Sequence, residues 1–168
     1  IYSEVPEEYL KLYDDVKLKN NVHLGGIHHH TGEEAPMTEE EMTLTTKQYF
    51  AAISGLDKQF GRIIDYLKEN NLYDDTIVIL SADHGDMMGS HGLMGKHVWY
   101  EESIRIPFVV HVPGNDNRRC STCIGSQDMM PTILGLLNCP IPDTVEGEDC
   151  QRFIRGEEDE ERVSFICA

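Results

Sequence analysis

The sequence predicts an α/β fold, and three observations carry that prediction. Over residues 39–69, apolar side chains recur at helical spacing: Tyr49, Ile53, Leu56, Phe60, Ile63 or Ile64, and Leu67. Residues 76–80 (TIVIL) and 108–112 (FVVHV) are short, unbroken apolar runs rich in β-branched residues, the composition of parallel strands covered on both faces. A second helical pattern, DMMPTILGLL, starts at Asp128. Helix, strand, long loop, strand, helix is the alternation of an α/β domain.

In chain order, residues 1–37 are an acidic, mixed connecting segment in which Pro6 opens a short helical turn, PEEYLKLYDD. Residues 25–36 (GGIHHHTGEEAP) read as loop. Its His28, His29 and His30 could hold a metal, but nothing in the pattern supplies the outer partners that orient metal-binding imidazoles, and a plain loop is the simpler reading. The long helix opens with Thr38 and Glu41 as a capping-box pair and stops at Asn70-Asn71. Its apolar stripe is read as core. Residues 72–75 lead into the first strand, and Pro113-Gly114 ends the second. Asp128 is read as the cap of the next helix, with Pro131 inside its tolerated first turn. Residues 150–155 suggest a short helix, residues 156–162 (GEEDEER) a solvated charge run, and residues 163–166 a last strand. The expected division is a connecting segment (1–37), a helix, strand and site loop (38–114), and a C-terminal α/β segment (115–168).

Composition narrows the functions. The chain has 168 residues, of which 40% are hydrophobic and 26% charged, which suits one compact domain or a piece of a larger one. A net charge of -16 argues against nucleic acid or an anionic membrane as partner. No apolar run approaches the ~20 residues that span a bilayer. An anionic substrate would need a local positive site to overcome the global field. The five cysteines are odd in number and scattered, which favours a reducing compartment and sets a cytoplasmic location as the expectation. Cys120-Ser-Thr-Cys123 has the spacing of a metal knuckle, yet no second pair accompanies it, so ordinary thiols are expected.

The chemistry concentrates in residues 81–107, SADHGDMMGSHGLMGKHVWYEESIRIP. In open α/β sheets ligands sit beyond the carboxyl ends of strands, and Asp83-His84 lies just past the end of TIVIL. The loop from 82 to 104 is also too long for an idle connection. Gly85 permits a bend at the strand end, so a carboxylate and an imidazole can converge on one cation, with further ligands drawn from elsewhere. The plainer alternative is a turn cap by Asp83 with His84 packed; the dipeptide alone leaves the two readings equal. Lys96, in Met94-Gly95-Lys96-His97, has little to pack against. Beside a cation it would be repelled unless an anion lay between them, and cation plus lysine around an oxyanion is the arrangement that stabilises sulfuryl or phosphoryl transfer. Its alternative is a surface ion pair with Glu101 or Glu102, worth little.

Asp-His-Gly-Asp after an apolar strand, then Gly-Ser-His-Gly-Leu, Gly-Lys, and Tyr-Glu-Glu-Ser-Ile-Arg-Ile-Pro, together resemble the C-terminal signature of the sulfatases, within the alkaline-phosphatase-like superfamily. LDKQFGRIIDYLKE is similar to that family's helix before the strand, VPEEYL to its connecting segment, and DMMPTILGLLNCPIPDTVEG to its Asp-X-X-Pro-Thr segment and Pro-rich turn. The resemblance covers essentially the whole chain. It implies a mixed sheet flanked by helices, incomplete without an N-terminal half. It implies that Asp83 and His84 are metal ligands and that Lys96 holds the sulfate ester. It implies that Arg105 with Glu101 or Glu102 is an ion pair locking the loop. His91 and His97 match positions near the site and could face substrate or orient the loop. The implied cofactor is a divalent metal, calcium first, although His84 is a softer donor that would suit manganese or zinc.

The sequence departs from the family in one respect. Sulfatases attack with a formylglycine made from Cys or Ser in Cys/Ser-X-Pro-X-Arg, and no Cys or Ser here has that context. The resemblance places that group, the paired Asp ligands and a catalytic His upstream of Ile1. The expected function is therefore part of a sulfatase acting on a small-molecule or carbohydrate sulfate ester, with the chain inactive and a weak metal binder by itself. An apolar face left by the missing half would invite self-association. The rival readings are a phosphonate monoester or phosphodiester hydrolase of the same superfamily, and a non-catalytic binding domain that keeps the fold.

Overall fold

The computed structural model describes residues 4–24, 28–29 and 36–157. The chain falls into two compact units, Ile1–Pro113 and Gly114–Ala168. The first holds α1 (Glu7–Leu10), a 3-10 turn (Lys11–Tyr13), β1 (His28–His29), α2 (Glu39–Glu69), a second 3-10 turn (Tyr73–Asp75), β2 (Val78–Ser81), β3 (Leu93–Met94), α3 (Glu101–Ile104) and β4 (Phe108–His111).

The long helix has the predicted limits and cap. The Glu41 backbone N–H donates to Thr38 Oγ1 at 3.2 Å, and the Glu41 carboxylate accepts from the Thr38 backbone N–H at 2.8 Å. Bonds donated to it by the Thr38 backbone N–H first and then by the Thr38 hydroxyl hold the Glu41 carboxyl below the usual carboxylate range. Its neighbours Glu39 and Glu40 place further negative charge at the positive end of the helix dipole. α1 and the turn after it pack on α2 through Tyr13, whose hydroxyl meets Ser54 Oγ at 2.6 Å and whose ring lies 5.6 Å from that of Phe50.

The stripe of α2 is only partly core. Met42 and Thr46 near its start are buried, but Ile53, Leu56 and Ile63 are exposed, Leu56 at 70%. Periodicity tells which residues share a face; what covers that face is a tertiary matter.

The strands also correct the expectation. β2 pairs with β4 antiparallel, in the register Val78↔His111, Ile79↔Val110, Leu80↔Val109 and Ser81↔Phe108. An unbroken apolar run was read as parallel and covered on both faces, yet Leu80 and Val109 are exposed, Val109 at 57%. Direction is set by the connection. A parallel neighbour needs a crossover element, whereas the connection here is a loop holding the two-residue β3 and the four-residue α3. A second surprise is that His28–His29, read as loop, forms β1 and pairs parallel with β3 as His28↔Leu93 and His29↔Met94. His30 lies outside the described residues.

The second unit contains α4 (Ser126–Leu136) and α5 (Gln151–Arg155). Asp128 is not the N-cap: Gly125 is, and Asp128 is the third helical residue, reaching back to accept the Gly125 N–H at 2.8 Å. Its other oxygen accepts the Glu148 N–H at 2.9 Å. Pro131 is therefore the sixth residue rather than part of the first turn, and it is buried. Thr132, also buried, accepts the Cys150 N–H at 2.9 Å. The Asp-X-X-Pro-Thr segment is thus a buried clasp on residues 147–150. Asp128 is only 1% exposed, so Asp128→Ala strands two backbone donors. Urea unfolding of the chain should show a loss of about 2 kcal/mol or more. α5 ends at Gly156, whose φ of +80° is the left-handed cap that glycine adopts freely. Cys120, Cys123 and Cys139 are exposed and Cys150 is buried. Most of the GEEDEER run and the proposed last strand lie outside the described residues.

Candidate active site

β2 ends at Ser81, and its hydroxyl donates to the Pro107 carbonyl at 2.9 Å, tying the strand end to the start of β4. Two residues on, the chain turns sharply enough for neighbouring side chains to meet. The Asp83 carboxylate accepts its neighbour's backbone N–H at 3.0 Å, and Asp83 Oδ2 lies 3.3 Å from His84 Nε2. Lys96, twelve residues later, brings its ammonium into hydrogen-bond contact with the same His84 nitrogen. The three residues singled out from the sequence therefore converge at the carboxyl end of β2. Lys96 does not take the surface ion pair considered for it: Glu101 contacts Arg105, and Glu102 contacts Asn21.

Gly85 serves this geometry differently from the sequence reading. It does not adopt a positive φ among the residues that do. Its backbone lies against α3: its N–H donates to the Ser103 carbonyl at 2.8 Å, and the Glu102 carbonyl occupies the space a Cβ would need. The glycine is required for close approach rather than for a left-handed turn.

Lys96 is delivered by a tightly coiled loop. Met88, Gly89, His91, Gly92, Gly95 and His97 all have positive φ. For Met88, His91 and His97 this is a costly conformation that surrounding contacts must impose. Those contacts are visible. The Asp86 carboxylate accepts the N–H groups of Met88 at 3.0 Å and Gly95 at 3.2 Å, closing the loop on itself. Met87 is fully buried, and Ser90 pairs with Val22 across an isolated antiparallel bridge. Asp86 also lies near Tyr49 of α2, whose hydroxyl is pushed up, first by burial and then by that carboxylate.

The remaining predicted residues take supporting places. His91 stacks on Tyr100, with ring centroids 4.0 Å apart, and its N–H donates to the Asn21 carbonyl at 2.9 Å. With Lys19, Glu101, Glu102 and Arg105 these rings line an open groove. His97 is exposed. Of the two candidate partners for Arg105, Glu101 is the one in contact, at 3.5 Å with both side chains largely exposed, so the pair contributes little. Glu102 instead accepts from Asn21 Nδ2 at 2.9 Å. Its carboxyl is held below the usual range, first by its own backbone N–H and then by Asn21, Ser90 and the charge of Lys19, with desolvation opposing. Because the folded value is depressed, this stabilisation is present above the ordinary carboxyl value of 4.5 and fades as pH falls through the lowered one. The stability difference between wild type and Glu102→Gln, from urea titrations at pH 6 and pH 3, should shrink at the lower pH.

Asn21, Lys19 and Asp86 escaped the sequence reading. Asp86 carried a usable signal, an Asp two residues ahead of a backbone donor it can bond in a turn. Asn21 and Lys19 carried none, because their importance comes from a contact across about 80 residues of chain.

A divalent cation fits what is present. Asp83 offers a carboxylate and His84 a ring nitrogen, 3.3 Å apart, and two ligands held at right angles at calcium distances of about 2.3–2.6 Å are separated by about 3.3–3.7 Å. Among the described residues no group of three His, Cys, Asp or Glu converges; Asp83 and His84 are a pair of possible donors.

The fold and the site together define a member of the alkaline-phosphatase-like class. The chain aligns with a Bacteroides fragilis structure described as that of a sulfatase, yidJ, at 32% identity and a TM-score of 0.78, covering 95% of this chain and 34% of that one. A phosphonate monoester hydrolase from Silicibacter pomeroyi aligns at 31% identity and a TM-score of 0.67, over 79% of this chain and 26% of that one. An ulvan-active sulfatase from Formosa agariphila is 30% identical over 164 residues, which is 95% of this chain and 30% of the relative. The sulfatase family model matches residues 6–139, and the chain belongs to the sulfatase family. It spans about a third or less of the length of the relatives it matches.

Proposed function

We propose that this chain is the part of a sulfate-monoester hydrolase that presents the metal-binding pair Asp83–His84 and the sulfate-binding Lys96. The convergence of those three side chains at the carboxyl end of β2 carries the reading. Asp83 and His84 would hold a divalent cation, calcium by family resemblance with manganese or zinc as the alternatives for a nitrogen donor, and that cation would supply positive charge to the ester oxygens. Lys96 donates to an oxygen of the sulfuryl group, where negative charge builds as the ester bond breaks. Together they provide the local positive site that a chain of net charge -16 needs to hold an anion. The attacking formylglycine would be supplied by residues other than these, since no Cys or Ser here stands in the required motif. The substrate is a small-molecule or carbohydrate sulfate ester, in keeping with the ulvan-active relative.

A second reading is hydrolysis of phosphonate monoesters, favoured by the likeness to the Silicibacter pomeroyi enzyme. Steady-state turnover of an aryl sulfate and of an aryl phosphonate by the longer enzyme carrying this segment separates the two. The sulfate should be the better substrate by kcat/KM; a preference for the phosphonate supports the second reading, and turnover of neither supports a binding domain that keeps the fold.

A further inference from the structure

The hydrogen bonds of His84 fix its tautomer. A backbone carbonyl only accepts, so the 2.6 Å contact between Nδ1 and the Gly85 oxygen places the ring proton on Nδ1. An ammonium only donates, so the contact from Lys96 Nζ is to the Nε2 lone pair. That lone pair is also the one His84 would offer a cation, with Asp83 Oδ2 beside it at 3.3 Å. A carbonyl partner on the far ring nitrogen is the usual device for orienting a metal-binding histidine. One lone pair serves one electron acceptor.

We propose that Lys96 and the divalent cation compete for His84 Nε2, so that cation binding and release of Lys96 are a single event. This rests on Asp83 and His84 being the metal donors. Lys96 then has two stations. In one it rests on His84. In the other, displaced and repelled by the seated cation, it is free to donate to the anionic ester. The exchange imposes an order, cation before ester, because the ester's lysine is engaged until the cation arrives. The loop is suited to deliver the side chain to both stations: its backbone is pinned by Asp86 at Gly95, directly before Lys96, so the exchange needs only side-chain rotation.

The test uses the longer enzyme carrying this segment, with 15N-labelled histidine. Without added metal, His84 should show a protonated Nδ1 and an unprotonated, hydrogen-bonded Nε2, and Lys96→Met should move the Nε2 resonance toward that of a free lone pair. Mn2+ affinity, read from paramagnetic broadening of the His84 ring, should tighten about tenfold or more in Lys96→Met, because the competent state no longer has to be freed first. Lys19→Met removes a positive charge from the neighbouring groove without touching His84 and should change the affinity by less than about twofold. Equal or weaker Mn2+ binding by Lys96→Met overturns the competition. Asp83→Asn tests the underlying assignment separately: unchanged Mn2+ affinity in that variant removes Asp83 from the metal site. Absence of broadening in the wild-type enzyme and in every variant overturns both.

Discussion

Lys96→Ala should lower kcat for sulfate-ester hydrolysis about 10²–10³-fold in the longer enzyme, the usual cost of one donor aimed at developing negative charge. The same change should cost only about 1 kcal/mol of folding stability, the usual net contribution of one hydrogen bond, here between half-buried side chains. The separation follows from where Lys96 sits. Its ammonium meets His84, and among the described residues it makes no ion pair with a carboxylate. The loop that carries it is held by Asp86 and Met87 rather than by the lysine. Turnover within a few-fold of wild type would return Lys96 to an incidental contact.

Gly85→Ala should damage both stability and turnover. The added methyl group would meet the Glu102 backbone carbonyl, and the Gly85 N–H bond to Ser103 would have to lengthen to admit it. Forcing extra volume against backbone typically costs about 1–3 kcal/mol. The activity effect is expected to exceed what that cost implies. The Gly85 carbonyl is the acceptor that sets the tautomer of His84, so displacing it re-aims the imidazole. A misplacement of about 1 Å can cost about 10²-fold in rate. Thermal unfolding and kcat measured on the same variant check this, and an Ala variant with wild-type stability would show that the α3 contact yields freely.

Much of this was legible in the sequence, and the parts that were not share a cause. α2 could be read to the residue because its cap and its end are local: Thr38 and Glu41 are three residues apart, and Asn70 follows at once. The convergence of Asp83, His84 and Lys96 was legible because ionisable groups after an apolar strand need a reason to be there. What failed depended on distant chain. Strand direction is decided by the connection between β2 and β4, which apolar composition does not encode. β1 pairs with β3 across about 65 residues and has no composition of its own. The Glu102–Asn21 contact spans 81 positions, so Glu101 and Glu102 looked interchangeable beside Arg105 although their partners differ. Asp128 was taken one turn out of place because a Gly N-cap offers no side chain to read, and the carboxylate that does the capping sits three residues inside the helix.

The central claim is that Asp83 and Lys96 act on one sulfuryl group. A double-mutant cycle on kcat/KM measures this directly, with Asp83→Asn, Lys96→Ala and the pair compared with wild type in the longer enzyme. Groups that work as a unit are strongly non-additive: once one is gone, the other has little left to stabilise. Each single variant is expected to lose about 10²-fold or more, and the double variant should be no more than a few-fold worse than the poorer single one. Losses that multiply would mean that the two residues act independently, and the single site at the end of β2 would be contradicted.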